Sequence, residues 1–172
     1  WSPDIRPRNQ FSTRRRWPSI LITIRPQDSP LNCSSLSPSE GLYVLVIRLE
    51  AELRTERAAL GPGVYLYVGS AGGPGGLRGR VCRHVKHSGK VHRWHIDQVL
   101  GVGMLEGVYV LEGVSGVKAE RELAEKLAGV LPEGARNFGN TDTGGPSHLL
   151  RMRPDVDLRS LLGSQWSYVD LR

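Results

Sequence analysis

Tyr67-Val68-Gly69 closes an apolar, β-branched run at residues 64–68 and leads through Ser70-Ala71-Gly72-Gly73-Pro74-Gly75-Gly76 into Leu77-Arg78-Gly79-Arg80-Val81-Cys82-Arg83-His84-Val85-Lys86-His87. The first part reads as a strand, the glycines as a flexible loop, and the last part as a helix. In that helix Leu77, Val81 and Val85 recur at i, i+4 and i+8 as a buried stripe, with Arg80 and His84 on the neighbouring stripe. Working outward, Gly41-Leu42-Tyr43 opens a second β-branched run at residues 42–49, which reads as a central strand. Gly61-Pro62-Gly63 marks a turn, so residues 64–68 are expected to pair antiparallel with it. Further along, residues 91–99 suggest a short helix and residues 108–111 with their flanks a third strand. Residues 117–131 suggest a helix stopped by Pro132, and residues 133–150 are expected to be irregular. The order strand, strand, helix, short helix, strand, helix predicts a small α/β (α+β) layer in which a sheet is flanked by helices. The segment after Pro154 is expected to be a loose helix or extension.

A chain of 172 residues that is 39% hydrophobic suits one domain with an ordinary core. Residues 1–38 hold six of the eleven prolines and are rich in Ser and Arg. That composition buries too little surface to offset chain entropy, so the segment is expected to be a disordered or spurious tail. Residues 39–153 would then be the domain and 154–172 a C-terminal extension. No run approaches the ~18 apolar residues of a membrane span, and no apolar leader is visible. A soluble, cytoplasmic protein with no membrane partner is therefore expected. Because the chain opens at Trp1 and its first methionine is Met104, it is expected to be a fragment or an imperfect gene prediction. Cys33 and Cys82 are far apart in sequence and in unlike contexts, so reduced thiols are the default expectation.

The formal charge is +6. Arg6, Arg8, Arg14, Arg15, Arg16 and Arg25, set against Asp4 and Asp28, place +4 of it in the tail. The remainder is only mildly basic, but Arg78, Arg80, Arg83, Lys86, Lys90 and Arg93 form one strip without an acid. Such a strip favours a polyanion, although a solvated helix face would look the same.

Two tyrosines on strands, a guanidinium and an imidazole at a strand–helix corner are the parts of a site that handles phosphodiesters. In the helix at residues 117–131, Leu123, Ala124, Leu127 and Leu131 stand at +3, +4, +7 and +11 from Glu120. Glu120 therefore points along the inward face, with Glu122 roughly opposite. A carboxylate on a buried face needs a cation. It is either in a structural ion pair or is a single carboxylate ligand for Mg²⁺, which commonly keeps several waters and takes phosphate oxygens. His84, His87, His92 and His95 cluster, but no Cys-x-x-Cys or His-Glu-x-x-His pattern supports zinc. The glycine run lacks the following Lys-Ser/Thr of a phosphate loop, so no nucleotide cofactor is expected.

These strings resemble the GIY-YIG nuclease superfamily, whose naming motifs read Gly41-Leu42-Tyr43 and Tyr67-Val68-Gly69 here. Further strings resemble its small stand-alone Uri-type branch: Gly63–Ala71, Gly75–Arg80 running on to Arg83-His84, Arg93-Trp94-His95-Ile96-Asp97, Glu120-Arg121-Glu122-Leu123-Ala124 and Pro146-Ser147-His148-Leu149. The resemblance spans about residues 41–152. It implies a three-stranded antiparallel sheet with helices against it and a metal-dependent endonuclease acting on nucleic acid, with DNA favoured by the superfamily. Carried over by position, Tyr43, Tyr67, Arg80, His84 and Glu120 are the expected catalytic residues, with Glu120 as the ligand of Mg²⁺ (or Mn²⁺). Arg78, Arg83, Lys86, Lys90, Arg93, His95 and His148 are the expected nucleic-acid contacts. A phenol serving as base at neutral pH would need its pKa lowered, and the basic strip is expected to supply that charge. The chain departs from the branch in having Thr143 and Gly145 where a Cys-x-Cys pair is usual, and Asn137 and Asn140 compete for the superfamily's late asparagine. The competing expectations are a nucleic-acid-binding module that keeps the fold without cutting, and a structural or partner-binding domain.

Overall fold

A computed structural model describes residues 32–55, 58–86, 95–136, 138–140 and 144–172. The long strand β1 (Gly41–Leu49) and β4 (Gly63–Ala71) form the expected antiparallel pair, and β5 (Met104–Glu112) flanks β1 on its other side. A minor hairpin, β2 (Leu53–Arg54) with β3 (Ala59–Leu60), fills the connection between β1 and β4. The helices are α1 (Gly76–Val85), α2 (His95–Val102), α3 (Val117–Ala128) and α4 (Leu158–Leu162).

The sheet has five strands rather than the three expected. β6 (Leu149–Arg151) pairs with β4, and β7 (Ser167–Asp170) pairs with β5, giving the order β6-β4-β1-β5-β7, antiparallel throughout. Both additions are edge strands of three and four residues. A short edge strand buries little and needs no apolar alternation, so periodicity alone does not reveal it. The C-terminal segment is thus part of the sheet, with α4 packed beside it.

β1 and β4 lie inside the sheet with helices on both faces, which is why they read as near-continuous apolar runs. Tyr43, Leu45, Ile47, Tyr65 and Tyr67 share one face with Leu77 and Val81 of α1 and Ile96 and Val99 of α2. Leu42, Val44, Leu66 and Val68 face Leu123, Ala124 and Leu127 of α3 and Leu158 and Leu162 of α4. The result is three layers with a core on each side of the sheet.

Packing begins before residue 39. The backbone N–H groups of Leu77 and Arg78 donate to the carbonyls of Ser39 and Ser37, each at 2.9 Å. These bonds satisfy donors at a helix start that has no side-chain cap. Leu36 is buried, and its carbonyl accepts from Arg78 Nε at 2.7 Å. At Gly76, with φ +55°, a Cβ would overlap the Pro38 and Ser39 carbonyls, so the glycine run serves close backbone approach. Cys33 and Cys82 form a disulfide with Cα atoms 5.4 Å apart, which overturns the expectation of two reduced thiols. Distance along the chain did not bound distance in space, because residues 32–40 run back along α1. Residues 1–31, the bulk of the expected tail, lie outside the described residues. Among the described residues no helix is long and apolar enough to cross a membrane.

Candidate active site

Tyr43 and Gly69 are cross-strand partners in the β1–β4 ladder. A Cβ at Gly69 would overlap the Cζ and hydroxyl of Tyr43, so the glycine is what lets the ring lie across β4. The ring then reaches α1. Tyr43 Oη lies 2.8 Å from Nε2 of His84, and both residues are buried. Tyr67, two residues before Gly69 on the same face, stands edge-on to the His84 ring at 6.1 Å and to Phe138 at 6.4 Å. At Gly139, with φ +74°, a Cβ would come within 3.0 Å of the Tyr67 hydroxyl and 3.2 Å of Cβ of His148, so the loop at 138–140 walls the site. Helical i, i+4 spacing places Arg80 one turn before His84 on α1.

Glu120 arrives from the other side of the sheet, on the first turn of α3. The start of that helix is tied to the end of β4: the Gly116 N–H donates to Ser70 Oγ at 2.8 Å, one residue past Gly69. This tether brings the carboxylate to the rim of the tyrosine cluster. As the helical wheel predicts, Leu123, Ala124, Leu127 and Leu131 are buried and the Glu120 side chain is only 19% exposed, against 63% for Glu122. Its Oε1 lies 3.1 Å from Nδ1 of His148.

The electrostatics show how close these groups are. Burial holds the Tyr43 phenol well above its ordinary pKa; the Tyr67 and Glu120 charges add to the rise, while Arg80 and Arg83 oppose it. For Tyr67, burial again dominates, Glu120 and Asp97 push the same way, and Arg80 opposes. One guanidinium and one carboxylate therefore act on both phenols. The direction corrects the expectation that the basic strip would bring a phenol toward neutral pH. Desolvation of the phenolate outweighs the arginines, so both hydroxyls keep their protons at neutral pH.

The remaining expected residues are less uniformly placed. Arg78 and Arg83 lie on α1 and Lys86 caps its C-terminus, with Arg78 partly engaged by the Leu36 carbonyl. Lys90 and Arg93 fall outside the described residues, as does Asn137, and His95 opens α2. Asn140 Nδ2 donates to the Gly145 carbonyl at 2.8 Å, closing its own loop. His148, an expected nucleic-acid contact, is wholly buried, with Nδ1 3.1 Å from Oε1 of Glu120. Two participants escaped sequence reasoning: Asp97, which acts on Tyr67, and the Glu120–His148 contact. Asp97 sits inside a quoted motif string, yet no spacing rule singled it out.

Among the described residues no group of three or more His, Cys, Asp or Glu is arranged to hold a metal. A half-buried carboxylate with one oxygen beside an imidazole does suit a hard cation that takes its other ligands from water and phosphate. A family model described as domain of unknown function DUF123 matches residues 42–167. No curated protein and no solved structure matches the chain.

Proposed function

The chain belongs to the DUF123 family, and we propose that it is a metal-dependent endonuclease of the GIY-YIG kind, with motif strings of the Uri-type branch, hydrolysing phosphodiester bonds in nucleic acid and preferentially DNA. The supporting observation is the buried Tyr43–His84 contact at 2.8 Å, in a cluster where Arg80 and Glu120 both act on the two phenols. Buried titratable groups gathered around a guanidinium and a carboxylate, with strongly shifted pKa values, are the pattern found at functional sites.

Glu120 is the residue that would hold Mg²⁺ or Mn²⁺. Such an ion supplies Lewis-acid polarisation of the scissile phosphate and neutralises charge on the departing 3′ oxygen. Arg80 donates to the non-bridging oxygens as negative charge accumulates there, a task suited to a planar guanidinium. Tyr43 orients the attacking water. Because its phenol stays protonated, it accepts a proton from water at Oη while passing its own to His84 Nε2, and no free phenolate forms. The new bond is water oxygen to phosphorus, and the bond broken is phosphorus to the 3′ oxygen, which takes its proton from solvent. His84 must begin neutral, with its proton on Nδ1. Tyr67 packs against the imidazole and limits its rotation. Arg78, Arg83 and Lys86, with Lys90, Arg93 and His95 beyond them, supply charge for the backbone without reading bases.

The deciding experiment is a metal-titrated nicking assay on supercoiled, single-stranded and branched DNA. Glu120→Ala and Arg80→Ala are expected to lower cleavage at least ~10²-fold, the scale of losing a transition-state stabiliser. Both variants should still bind DNA at low salt. Cleavage at the wild-type rate by Glu120→Ala in Mg²⁺ buffer would remove the metal assignment. Binding without cleavage by the wild type, at any metal concentration, would leave the non-cutting module as the function.

A further inference from the structure

We infer that His148 is a positioning residue for Glu120: its buried imidazole, with Nδ1 3.1 Å from Oε1, holds the carboxylate in place and leaves its other oxygen for a divalent cation. This deepens the metal-dependent reading above and rests on it. The imidazole is also a rigid support. His148 N–H donates to the Phe138 carbonyl at 2.7 Å, and its carbonyl accepts from Val68 N–H at 2.9 Å, so its backbone is fixed from both sides just ahead of β6. The ladder decides which way it faces. Leu149 pairs with Tyr67, so His148 falls opposite Val68 and points, with Val68, toward α3. Glu120 comes from that layer.

A single carboxylate on a long side chain is a poor cation ligand while it is free to rotate, because each binding event must first immobilise it. An anchored Oε1 removes that cost before the ion arrives. Groups that hold ligating carboxylates from behind set metal affinity in this way at other sites, and losing such a partner typically weakens binding 10–100-fold.

The test uses the full chain as wild type, Glu120→Gln, His148→Leu and His148→Asn, the last placing an amide N–H near the Nδ1 position. Free Mn²⁺ is followed by electron paramagnetic resonance without nucleic acid, and nicking is measured against Mn²⁺ concentration. The expected result is a wild-type Mn²⁺ site that Glu120→Gln abolishes. His148→Leu should weaken it ~10–100-fold and raise the Mn²⁺ needed for half-maximal nicking by a similar factor, with most of the rate recovered at saturating Mn²⁺. His148→Asn should restore most of the affinity. Folded His148→Leu with wild-type Mn²⁺ affinity overturns the inference. If His148→Leu does not fold, the ¹⁵N resonance of His148 Nδ1 decides: it should move on Glu120→Gln, and an unmoved signal overturns the inference. A wild type that neither binds Mn²⁺ nor nicks DNA sinks the parent reading as well. Nicking whose Mn²⁺ dependence ignores residue 148 sinks only the positioning role.

Discussion

At the residue scale, the site depends on an absent side chain as much as on those present. Gly69 lies opposite Tyr43, and any Cβ there would overlap the phenol that contacts His84. Gly69→Ala is therefore expected to cost about 1–3 kcal/mol, as overpacking does. It should also lower nicking by about 10²-fold through displacement of the ring by about an ångström. Urea melts and the nicking assay measure the two effects; an alanine variant equal to wild type in both would show that Tyr43 needs no such clearance. Much at this scale was legible in advance. Strand-borne Tyr43 and Tyr67, the i, i+4 pair Arg80 and His84, and the inward face for Glu120 all follow from local periodicity. The sign of the phenol pKa shifts did not, because burial depends on what lies above the ring. The Glu120–His148 contact was likewise hidden: the two residues stand on different elements, and no spacing rule links them.

At the element scale, α1 carries the guanidinium and the imidazole, and its position is fixed from outside the helix. Residues 32–40 hold its start through the Ser37 and Ser39 carbonyls, and the Cys33–Cys82 disulfide fastens the same segment midway along it. The bridge closes a sequence separation of 49 residues. By the chain-entropy model that loop is worth roughly 4 kcal/mol, a figure real disulfides often fall below. Reduction with dithiothreitol, or Cys82→Ser, should lower the urea midpoint by a large fraction of that amount, and oxidation should restore the wild type alone. Identical midpoints for oxidised and reduced protein would mean that the backbone bonds hold α1 unaided. The elements divide by how much they bury. β1, β4, β5, α1 and α3 announce themselves because each fills a core, and their observed bounds lie close to those expected. β6 and β7 do not, being short edge strands whose partners lie far away in sequence. The segment around Cys33 was hidden by its tail-like composition, although Leu36 is in the core.

At the scale of the whole molecule, a site assembled from both faces of one sheet links folding to the ionisation of the phenols at its centre. Tyr43 and Tyr67 both have pKa values raised above the ordinary value, chiefly by burial. The unfolded chain releases these protons near pH ~10, whereas the folded chain retains them to higher pH. Below that value neither state has lost its protons, so the contribution to stability is fully present. As pH rises through it and onward to the folded-state values, the unfolded state binds fewer protons and stability falls. The slope is at most about 1.4 kcal/mol per pH unit for each phenol. Urea melts from pH 8 to 11 should therefore show stability nearly level at first and then declining steeply. Tyr43→Phe and Tyr67→Phe should each flatten the decline, whatever they do to stability at pH 8, since phenylalanine has no proton to retain. The Tyr→Phe comparison isolates the phenols from the lysines that titrate in the same window. An unchanged alkaline slope in both variants would mean that burial does not raise these phenols in the folded chain, and the protonated phenol on which the proposed proton transfer relies would lose its support.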